Sequence, residues 1–230
     1  MQFVWFGFLK HRLSLIGYLL FLTMTSAYAD GVIHRYQVTQ QQGMLKQSHI
    51  IEQWRTVQDK ILFYPHSQVV EHWSKSSANK TDFFRHFLDH HYSVFYSNDE
   101  MQALQKNTDW ETVGHFFSPQ WLSYLAPQIC PDSSSSTLEC YQGQWGDRRV
   151  SVQWLAKESK LQQLQIRGQF QSIIYQYMNS EPWSHAHQQV MEEWTRFSSI
   201  DYADIADEED DPILSQLIAQ GFIYTDDHRH

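Results

Sequence analysis

Long stretches of the chain alternate between apolar and polar residues with a period of two, the pattern that is typical of β-strands. β-Branched and aromatic residues fill the apolar positions, and turn residues separate one stretch from the next. Because the connections are short, we expect consecutive strands to pair antiparallel as a meander. The predicted strands are 31–40, 44–55, 60–65, 68–75, 82–97, 139–145, 148–156, 160–168 and 170–178.

Three segments have helical patterns instead. A short helix is predicted at 118–127, within the run of strands, and a second helix should begin after Pro182 and end near Phe197. The third follows an acidic run, where Asp211 and Pro212 are typical of a helix start. We therefore predict an α+β fold that is mainly β, with a curved antiparallel meander sheet resembling a half-barrel, one mid-chain helix and two C-terminal helices.

The first 29 residues have the pattern of a secretory signal peptide. A basic flank at 10–12 precedes the apolar segment Leu13–Met24, and Ala27 and Ala29 form a small-residue cleavage site. An N-terminal membrane anchor is the alternative, but the apolar segment is shorter than the roughly 20 residues that a span needs. We expect cleavage after Ala29 and an exported, periplasmic chain that begins near Asp30 and has no membrane span.

The charge of the chain limits its partners. The formal net charge is −9, acidic residues concentrate near the C-terminus, and the sequence has no basic stripe. Nucleic-acid binding is therefore not expected, because contact with phosphates needs clustered Lys and Arg. We divide the mature chain into a β-rich domain at 30–200 and a C-terminal part at 201–230, which holds an acidic connector, the last helix and a tail.

Cys130 and Cys140 are the two cysteines of the chain. In an oxidising compartment, such a close pair is typical of one disulfide that closes a small loop. A redox pair and a pair of metal thiolates are the alternatives, although the sequence contains no C-x-x-C motif.

Two pentapeptides repeat one pattern, IIEQW at 50–54 and VVEHW at 69–73. If both strands flank the strand near 60–65, they run in the same direction, and alternation predicts that their Glu–Trp pairs share one face. Carboxylates beside indoles are candidates for a general acid and base, because apolar surroundings raise the pKa of a carboxyl group. The alternative is a solvent-facing Glu beside a half-buried Trp at the rim of the sheet. The residues concerned are Glu52, Trp54, Glu71 and Trp73.

Two groups of residues have the composition of metal sites. His86 and His90 are one turn apart if 82–92 is a helix, but they are too far apart to share a metal if it is a strand, which we favour. Asp204 and Asp207 belong to an acidic run whose oxygens suit calcium, but the run lacks the glycine of an EF-hand loop. We favour a solvated connector at this run, and we expect no bound metal and no cofactor.

The sequence contains no G-x-S-x-G elbow, Walker loop, dinucleotide-binding fingerprint or H-E-x-x-H motif. Its export signal, its element order and aromatic strands such as KILFYP (60–65) and VSVQWLAKESKLQQLQI (150–166) resemble the periplasmic lipoprotein carriers of the LolA and LolB type. This resemblance implies that a concave sheet holds an acyl chain or another apolar ligand. The residues that we expect to line or adjoin the ligand are Trp54, Tyr64, Trp73, Phe95 and Trp154.

Three functional hypotheses are compatible with these patterns. The first is a non-catalytic binder or carrier of an apolar small molecule, a lipid or a partner segment. The second is a hydrolase that uses Glu52 and Glu71 as catalytic groups. The third is an interaction subunit of a cell-envelope complex, in which the acidic C-terminal region docks a basic protein partner.

Overall fold

The computed structural model describes residues 31–76, 81–131, 137–208 and 210–220. In these residues, twelve strands form one open, curved sheet. The strands are β1 (Val32–Gln42), β2 (Leu45–Arg55), β3 (Asp59–Tyr64), β4 (Val69–Lys75), β5 (Thr81–Phe87), β6 (Tyr92–Tyr96), β7 (Ala126–Gln128), β8 (Leu138–Trp145), β9 (Arg148–Leu155), β10 (Lys160–Arg167), β11 (Gln171–Pro182) and β12 (Ser198–Asp201). The α-helices are α1 (Asn98–Ala103), α2 (His185–Trp194) and α3 (Pro212–Ala219). Short 3₁₀ helices span Leu88–His90, Pro119–Tyr124, Ala156–Glu158 and Tyr202–Asp207.

The sheet joins two antiparallel meanders at its centre. Its strand order is β12-β6-β5-β4-β3-β2-β1-β11-β10-β9-β8-β7. From β1 to β6, each strand pairs with the next one along the chain, from the centre of the sheet toward the edge at β12. From β7 to β11, each strand again pairs with the next, starting at the other edge, and β11 pairs with β1 at the centre. The predicted class is confirmed: an α+β fold that is mainly β, built on a curved antiparallel sheet. The parallel pairing of β12 with β6 was not predicted.

Two long connections cross opposite faces of this sheet. We name the faces after Trp54 and Trp73, whose side chains lie on opposite sides. The connection at 97–125, which we call the cover segment, leads from β6 to β7 over the Trp73 face. The connection that contains α2 leads from β11 to β12 over the Trp54 face.

Each face carries its own hydrophobic core. On the Trp73 face, residues of the cover segment and α3 complete two clusters that contain mainly aromatic and β-branched residues. On the Trp54 face, α2 places Trp194 against Trp54, with ring centroids 5.5 Å apart. Buried residues typical of the three clusters are Trp73, Phe83, Tyr96 and Leu214; Tyr36, Phe117, Val152 and Trp154; and Ile33, Trp54, Val70 and Trp183.

The segment predicted as one strand at 82–97 is two strands. β5 ends at Phe87, a 3₁₀ turn follows at Leu88–His90, and β6 returns antiparallel. His91 closes the turn in the left-handed region, with φ at 48°. The strand interpretation of this segment is therefore confirmed, and the helical alternative is wrong.

The helices differ in how well the sequence predicted them. The mid-chain helix expected at 118–127 is a 3₁₀ helix, Pro119–Tyr124, which gives way directly to β7. α3 begins as predicted, because Asp211 Oδ1 accepts hydrogen bonds from the backbone N–H groups of Ile213 and Leu214 at 2.8 and 3.1 Å. α1 was missed, because its six residues are too few to show a helical period.

The predicted disulfide is present. Cys130 and Cys140 are bonded, with their Cα atoms 5.3 Å apart, and the bond ties the end of the short edge strand β7 to β8. The predicted signal peptide at 1–29 and the tail beyond residue 220 lie outside the described residues.

Candidate functional site

The matching pentapeptides lie in β2 and β4, on either side of β3, and the two strands run in the same direction as predicted. The register pairs Glu52 with Phe63, and Phe63 with Val70. Glu71, the neighbour of Val70, therefore lies on the face opposite to Glu52. The prediction that both Glu–Trp pairs share a face is wrong, because an offset of one residue moves every side chain to the other face.

Each of these glutamates is bonded to its own arginine. Glu52 accepts hydrogen bonds from Arg35 Nε at 2.7 Å and from Trp54 Nε1 at 2.8 Å. Glu71 accepts one from Arg85 Nη2 at 2.6 Å. Because the sheet separates the two carboxylates, the acid–base pair of the hydrolase hypothesis does not form in this structure.

The five aromatic residues proposed to bind a ligand divide between the two faces. Trp54 and Phe95 lie on one face, whereas Tyr64, Trp73 and Trp154 lie on the other. Trp54 and Trp73 are only 4% and 9% exposed, and they belong to different clusters. The five side chains therefore do not line one common cavity.

The candidate metal ligands do not gather into a site. His86 lies in β5 with its side chain buried, and His90 lies in the 3₁₀ turn that follows. Asp204 and Asp207 are exposed on the 3₁₀ helix before α3. Among the described residues, no group of three or more His, Cys, Asp or Glu side chains is placed to hold a metal ion.

A chain of polar side chains crosses four strands on the Trp54 face. Ser93 Oγ lies 2.7 Å from His86 Nδ1, and His86 Nε2 lies 3.4 Å from His72 Nδ1. His72 Nε2 in turn lies 2.8 Å from Asp59 Oδ1. Burial and the neighbouring His72 lower the pKa of His86 to about 3, so this imidazole is neutral at physiological pH.

This series of hydrogen-bonded side chains contains the residue types of a serine hydrolase site, but its packing is different. Ser93 is 3% exposed, and the ring of His86 packs against Trp194 at a centroid distance of 5.5 Å. A substrate therefore has no direct route to the serine hydroxyl in this conformation. These four polar side chains link β3, β4, β5 and β6, and we assign them a structural role.

A small cavity lies on the Trp73 face, between the sheet and the cover segment. Its walls include Tyr36, Phe117 and Trp154, and its polar groups include His34, Arg55 and Lys160. We call it the Arg55 cavity. It comprises about 260 Å³ of space that atoms do not fill, its opening included.

Arg55 is held in this cavity by uncharged groups. Its Nη2 donates to Gln53 Oε1 at 2.9 Å and contacts His115 Nδ1 at 2.7 Å. Burial and the nearby Arg55 lower the pKa of His115 to about 3, so the ring is neutral and its Nδ1 can accept. Burial likewise lowers the pKa of Arg55, although a guanidinium remains charged in proteins.

The third feature is an exposed apolar surface at one end of the sheet, where two hairpin turns meet. Gly43 N–H, in the turn between β1 and β2, donates to the Phe170 carbonyl in the turn between β10 and β11 at 3.2 Å. The side chains beside this bond are open to solvent: Met44 is 102% exposed, Leu45 73% and Phe170 74%. We call these three residues the apolar tip.

Exposed basic residues lie in the strands and the hairpin turn that adjoin the apolar tip. Lys46 follows it in β2, and Arg167 precedes Phe170 at the end of β10. The turn between β8 and β9 adds Arg148 and Arg149, and Arg149 pairs with Arg167 in the register. All four cations are exposed, as is Asp147, the carboxylate of the same turn.

The sequence interpretation did not identify Arg55, His34 or Phe170 as functional residues. Arg55 has the ordinary appearance of a charged residue at the end of a strand, and only the fold buries it. A weak signal existed for the apolar tip, since two large apolar residues directly after Gly43 are unusual in a hairpin turn.

Comparisons with known proteins assign no family to this chain. No protein-family model matches it, and a search of the curated proteins finds no significant match. Within residues 31–76, 81–131, 137–208 and 210–220, none of the helices has both the length and the apolar character needed to cross a bilayer.

Proposed function

We propose that the protein is an exported, non-catalytic binding protein of the periplasm that docks on an anionic lipid surface through the apolar tip. The observation that carries this proposal is the exposure of Met44, Leu45 and Phe170 on two hairpin turns that a backbone hydrogen bond joins, with exposed arginine and lysine residues in the adjoining strands and turn. The proposed export rests on the N-terminal sequence pattern alone.

The apolar tip has the chemistry of a membrane-inserting surface. Fully burying a Leu, Met or Phe side chain contributes roughly 1.5–3 kcal/mol, so three such side chains give reversible rather than permanent attachment. They extend from turns, whose ends can enter the headgroup region without breaking the sheet. A protein partner is the other occupant that an apolar surface suggests, and the charges decide between them.

The surrounding cations favour anionic headgroups as the occupant. Each Lys or Arg near an anionic membrane surface contributes about 1 kcal/mol, and four are available here. The chain as a whole carries a formal net charge of −9, so this basic end is a local departure from an acidic protein. Such a local concentration of positive charge can orient the protein with the apolar tip toward an anionic membrane.

Vesicle sedimentation tests the proposal. The mature chain should be used, because the apolar segment at 13–24 would bind lipid by itself. We expect it to sediment with vesicles of mixed phosphatidylcholine and phosphatidylglycerol, much less with phosphatidylcholine alone, and less as salt rises. Phe170→Asp should reduce the bound fraction about tenfold, the equivalent of about 1.4 kcal/mol.

The matched control is an aspartate placed at another exposed apolar side chain. Tyr124, on the 3₁₀ helix before β7, is 80% exposed and lies outside the apolar tip, so Tyr124→Asp should leave vesicle binding unchanged. Equal binding of wild-type protein and Phe170→Asp would exclude the apolar tip as the lipid-binding surface. No sedimentation of the wild-type protein with either kind of vesicle would reject the proposed function.

A second candidate function is the carriage of an apolar ligand beneath the cover segment. Its support is that side chains hold much of this segment to the sheet: Gln53 Nε2 donates to the Gly114 carbonyl at 2.6 Å, and Lys60 Nζ donates to the Trp110 carbonyl. Release of these bonds would expose the aromatic cluster below. Native mass spectrometry of protein purified from the periplasm should then show an excess of several hundred daltons that extracts into organic solvent.

A further inference from the structure

Arg55 differs from two other arginines on the same sheet. Arg35 is bonded to Glu52 and Glu181 at 2.7 Å each, and Arg85 is bonded to Glu71 at 2.6 Å. Arg55 lies deeper than Arg35, yet within the described residues no carboxylate forms an ion pair with it. A buried charge is normally compensated, and the described part of the chain supplies no negative partner for Arg55.

Two residues that line the cavity, Arg55 and His34, each have an unsatisfied polar atom. Arg55 Nε and His34 Nδ1 are both buried, and neither has a hydrogen-bond partner among the described residues. The Arg55 N–H is an obligatory donor, whereas a neutral histidine can place its proton on either ring nitrogen. Each of these two atoms is therefore able to donate a hydrogen bond to an acceptor.

The other charged group of the cavity is also positive. Lys160 lies in its wall, with Nζ 4.0 Å from the centre of the Tyr177 ring. Lys160 already pairs with Glu158 at 2.6 Å, but the Glu158 side chain is largely exposed and lies outside the lining of the cavity. Arg55 and Lys160 thus both line the cavity, and Glu158 offsets part of the charge of Lys160, so the cavity favours an anion over a second cation.

We propose that the Arg55 cavity binds a monovalent anionic group, held by the N–H groups of Arg55 and His34 and by the charge of Lys160. The cavity is small, with about 260 Å³ of unfilled space including its opening, which favours a small anionic group. A halide ion or the carboxylate end of a longer molecule fits this description. Tyr36, Phe117 and Trp154 provide the apolar surface that would contact such a molecule beyond its carboxylate.

The first experiment measures thermal stability against anion concentration, with ionic strength held constant by a bulky sulfonate. Chloride, formate and octanoate are the three probes. We expect each to raise the Tm of the wild-type protein in a saturable way, because a ligand that binds only the folded state stabilises it by mass action. If the site binds a small free anion, formate and octanoate should have similar effects on the Tm. If it binds the carboxylate of a longer molecule, octanoate should saturate the response at a concentration at least tenfold lower than formate does.

Arg55→Met tests the residue without creating a new polar group. Met replaces the cation with an apolar side chain of similar length, so we expect the variant to fold and its Tm to be independent of all three anions. Arg196→Met removes an exposed cation between α2 and β12, outside both proposed sites, and is the matched control, which should keep the full response. A response that persists unchanged in Arg55→Met would overturn the proposal, as would the absence of any response in the wild-type protein.

Crystals soaked in bromide provide a readout that does not depend on stability. We expect an anomalous peak between Arg55 Nε and His34 Nδ1 in the wild-type protein and its loss in Arg55→Met. Peaks confined to the exposed arginines of the hairpin turns would contradict the proposal. The inference is independent of lipid docking, since the Arg55 cavity and the apolar tip share no residue and Phe170→Asp should retain the anion response.

Discussion

The imidazole rings of His72 and His86 lie side by side on the Trp54 face, with His86 Nε2 3.4 Å from His72 Nδ1. The remaining nitrogen of each ring is also engaged, by Asp59 and by Ser93 respectively. A neutral His86 can share a hydrogen bond with His72 at this contact, whereas a protonated His86 would place a positive charge in a buried site. The contact therefore makes the folded state sensitive to acid.

The first prediction concerns the pH dependence of stability. The pKa of His86 is lowered to about 3 in the folded protein by burial and by His72, against an unfolded value of 6.5. The unfolded state therefore binds one more proton between these pH values, and the free energy of unfolding decreases as the pH falls from about 6.5 toward 3. At its steepest, this single proton contributes about 1.4 kcal/mol per pH unit.

Urea unfolding at several pH values between 4 and 7 measures this slope. His86→Gln should lower stability at pH 7, because it removes the bond to Ser93, but it should also flatten the pH dependence by about one proton. His185→Gln, at an exposed position of α2, is the matched control and should leave the slope unchanged. An unaltered slope in His86→Gln would show that His86 is not one of the groups responsible.

The second prediction concerns the disulfide. Cys130 and Cys140 close a loop of about ten residues, and in the chain-entropy model such a loop stabilises the folded state by roughly 2–3 kcal/mol. The double substitution to serine should lower the free energy of unfolding by this amount. The wild-type protein should show the same loss in the presence of a reductant, whereas the double variant should not respond to it.

The third prediction concerns the paired tryptophans. If Trp54 and Trp73 lined a ligand site, as predicted from the sequence, replacing both with alanine would leave the fold intact. Their burial in two separate clusters implies a different outcome, because each Trp→Ala change in a core costs about 3–5 kcal/mol. We expect each single variant to have a lower Tm and the double variant to lose cooperative unfolding in circular dichroism. Trp121→Ala, at a position that is 37% exposed, should have a much smaller effect.

The fourth prediction concerns the backbone of the cover segment. Gly114 has φ at +65°, and a Cβ atom there would lie 2.6 Å from Lys60 Cβ. Gly43 has a similar φ of +57° but nothing within 4 Å of the corresponding position. Gly43→Ala should therefore cost only the backbone strain of about 1–2 kcal/mol, whereas Gly114→Ala should cost a further 1–3 kcal/mol or so from overpacking.

Chemical denaturation of both glycine variants gives this difference directly. If Gly114→Ala displaces the cover segment, its loss of stability should be accompanied by a change in the fluorescence of Trp110, which lies in that segment. Equal stability losses in the two variants would mean that the cover segment moves to accommodate the added methyl group with no further loss of stability.

The alternation of apolar and polar residues was sufficient to predict most strands, the mainly β class and the shared direction of β2 and β4. It was sufficient because burial of one face imposes a period of two, which is a local property of the sequence. The caps of α3 and the pairing of the two cysteines are also local, and both predictions are confirmed.

The relation between strands required the tertiary structure. Glu52 and Glu71 are separated by β3, and the two turns beside it set a register in which Glu52 aligns with Val70 instead of Glu71. A single residue of turn length decides this alignment, and the pentapeptides carry no information about it. For that reason Glu52 and Glu71 lie on opposite faces of the sheet and do not form the expected pair of carboxylates.

The candidate sites were likewise decided by contacts between distant parts of the chain. The pairing of β1 with β11 brings the turn at Gly43 to the turn at Phe170, although the two turns are far apart in sequence. The cover segment buries Arg55 because it must cross the sheet from one edge to the other. The sequence by itself determined which residues alternate, turn and cap, since those properties depend on neighbours along the chain. The tertiary structure decided which charges are buried and which apolar residues stay exposed, because both depend on what the rest of the chain covers.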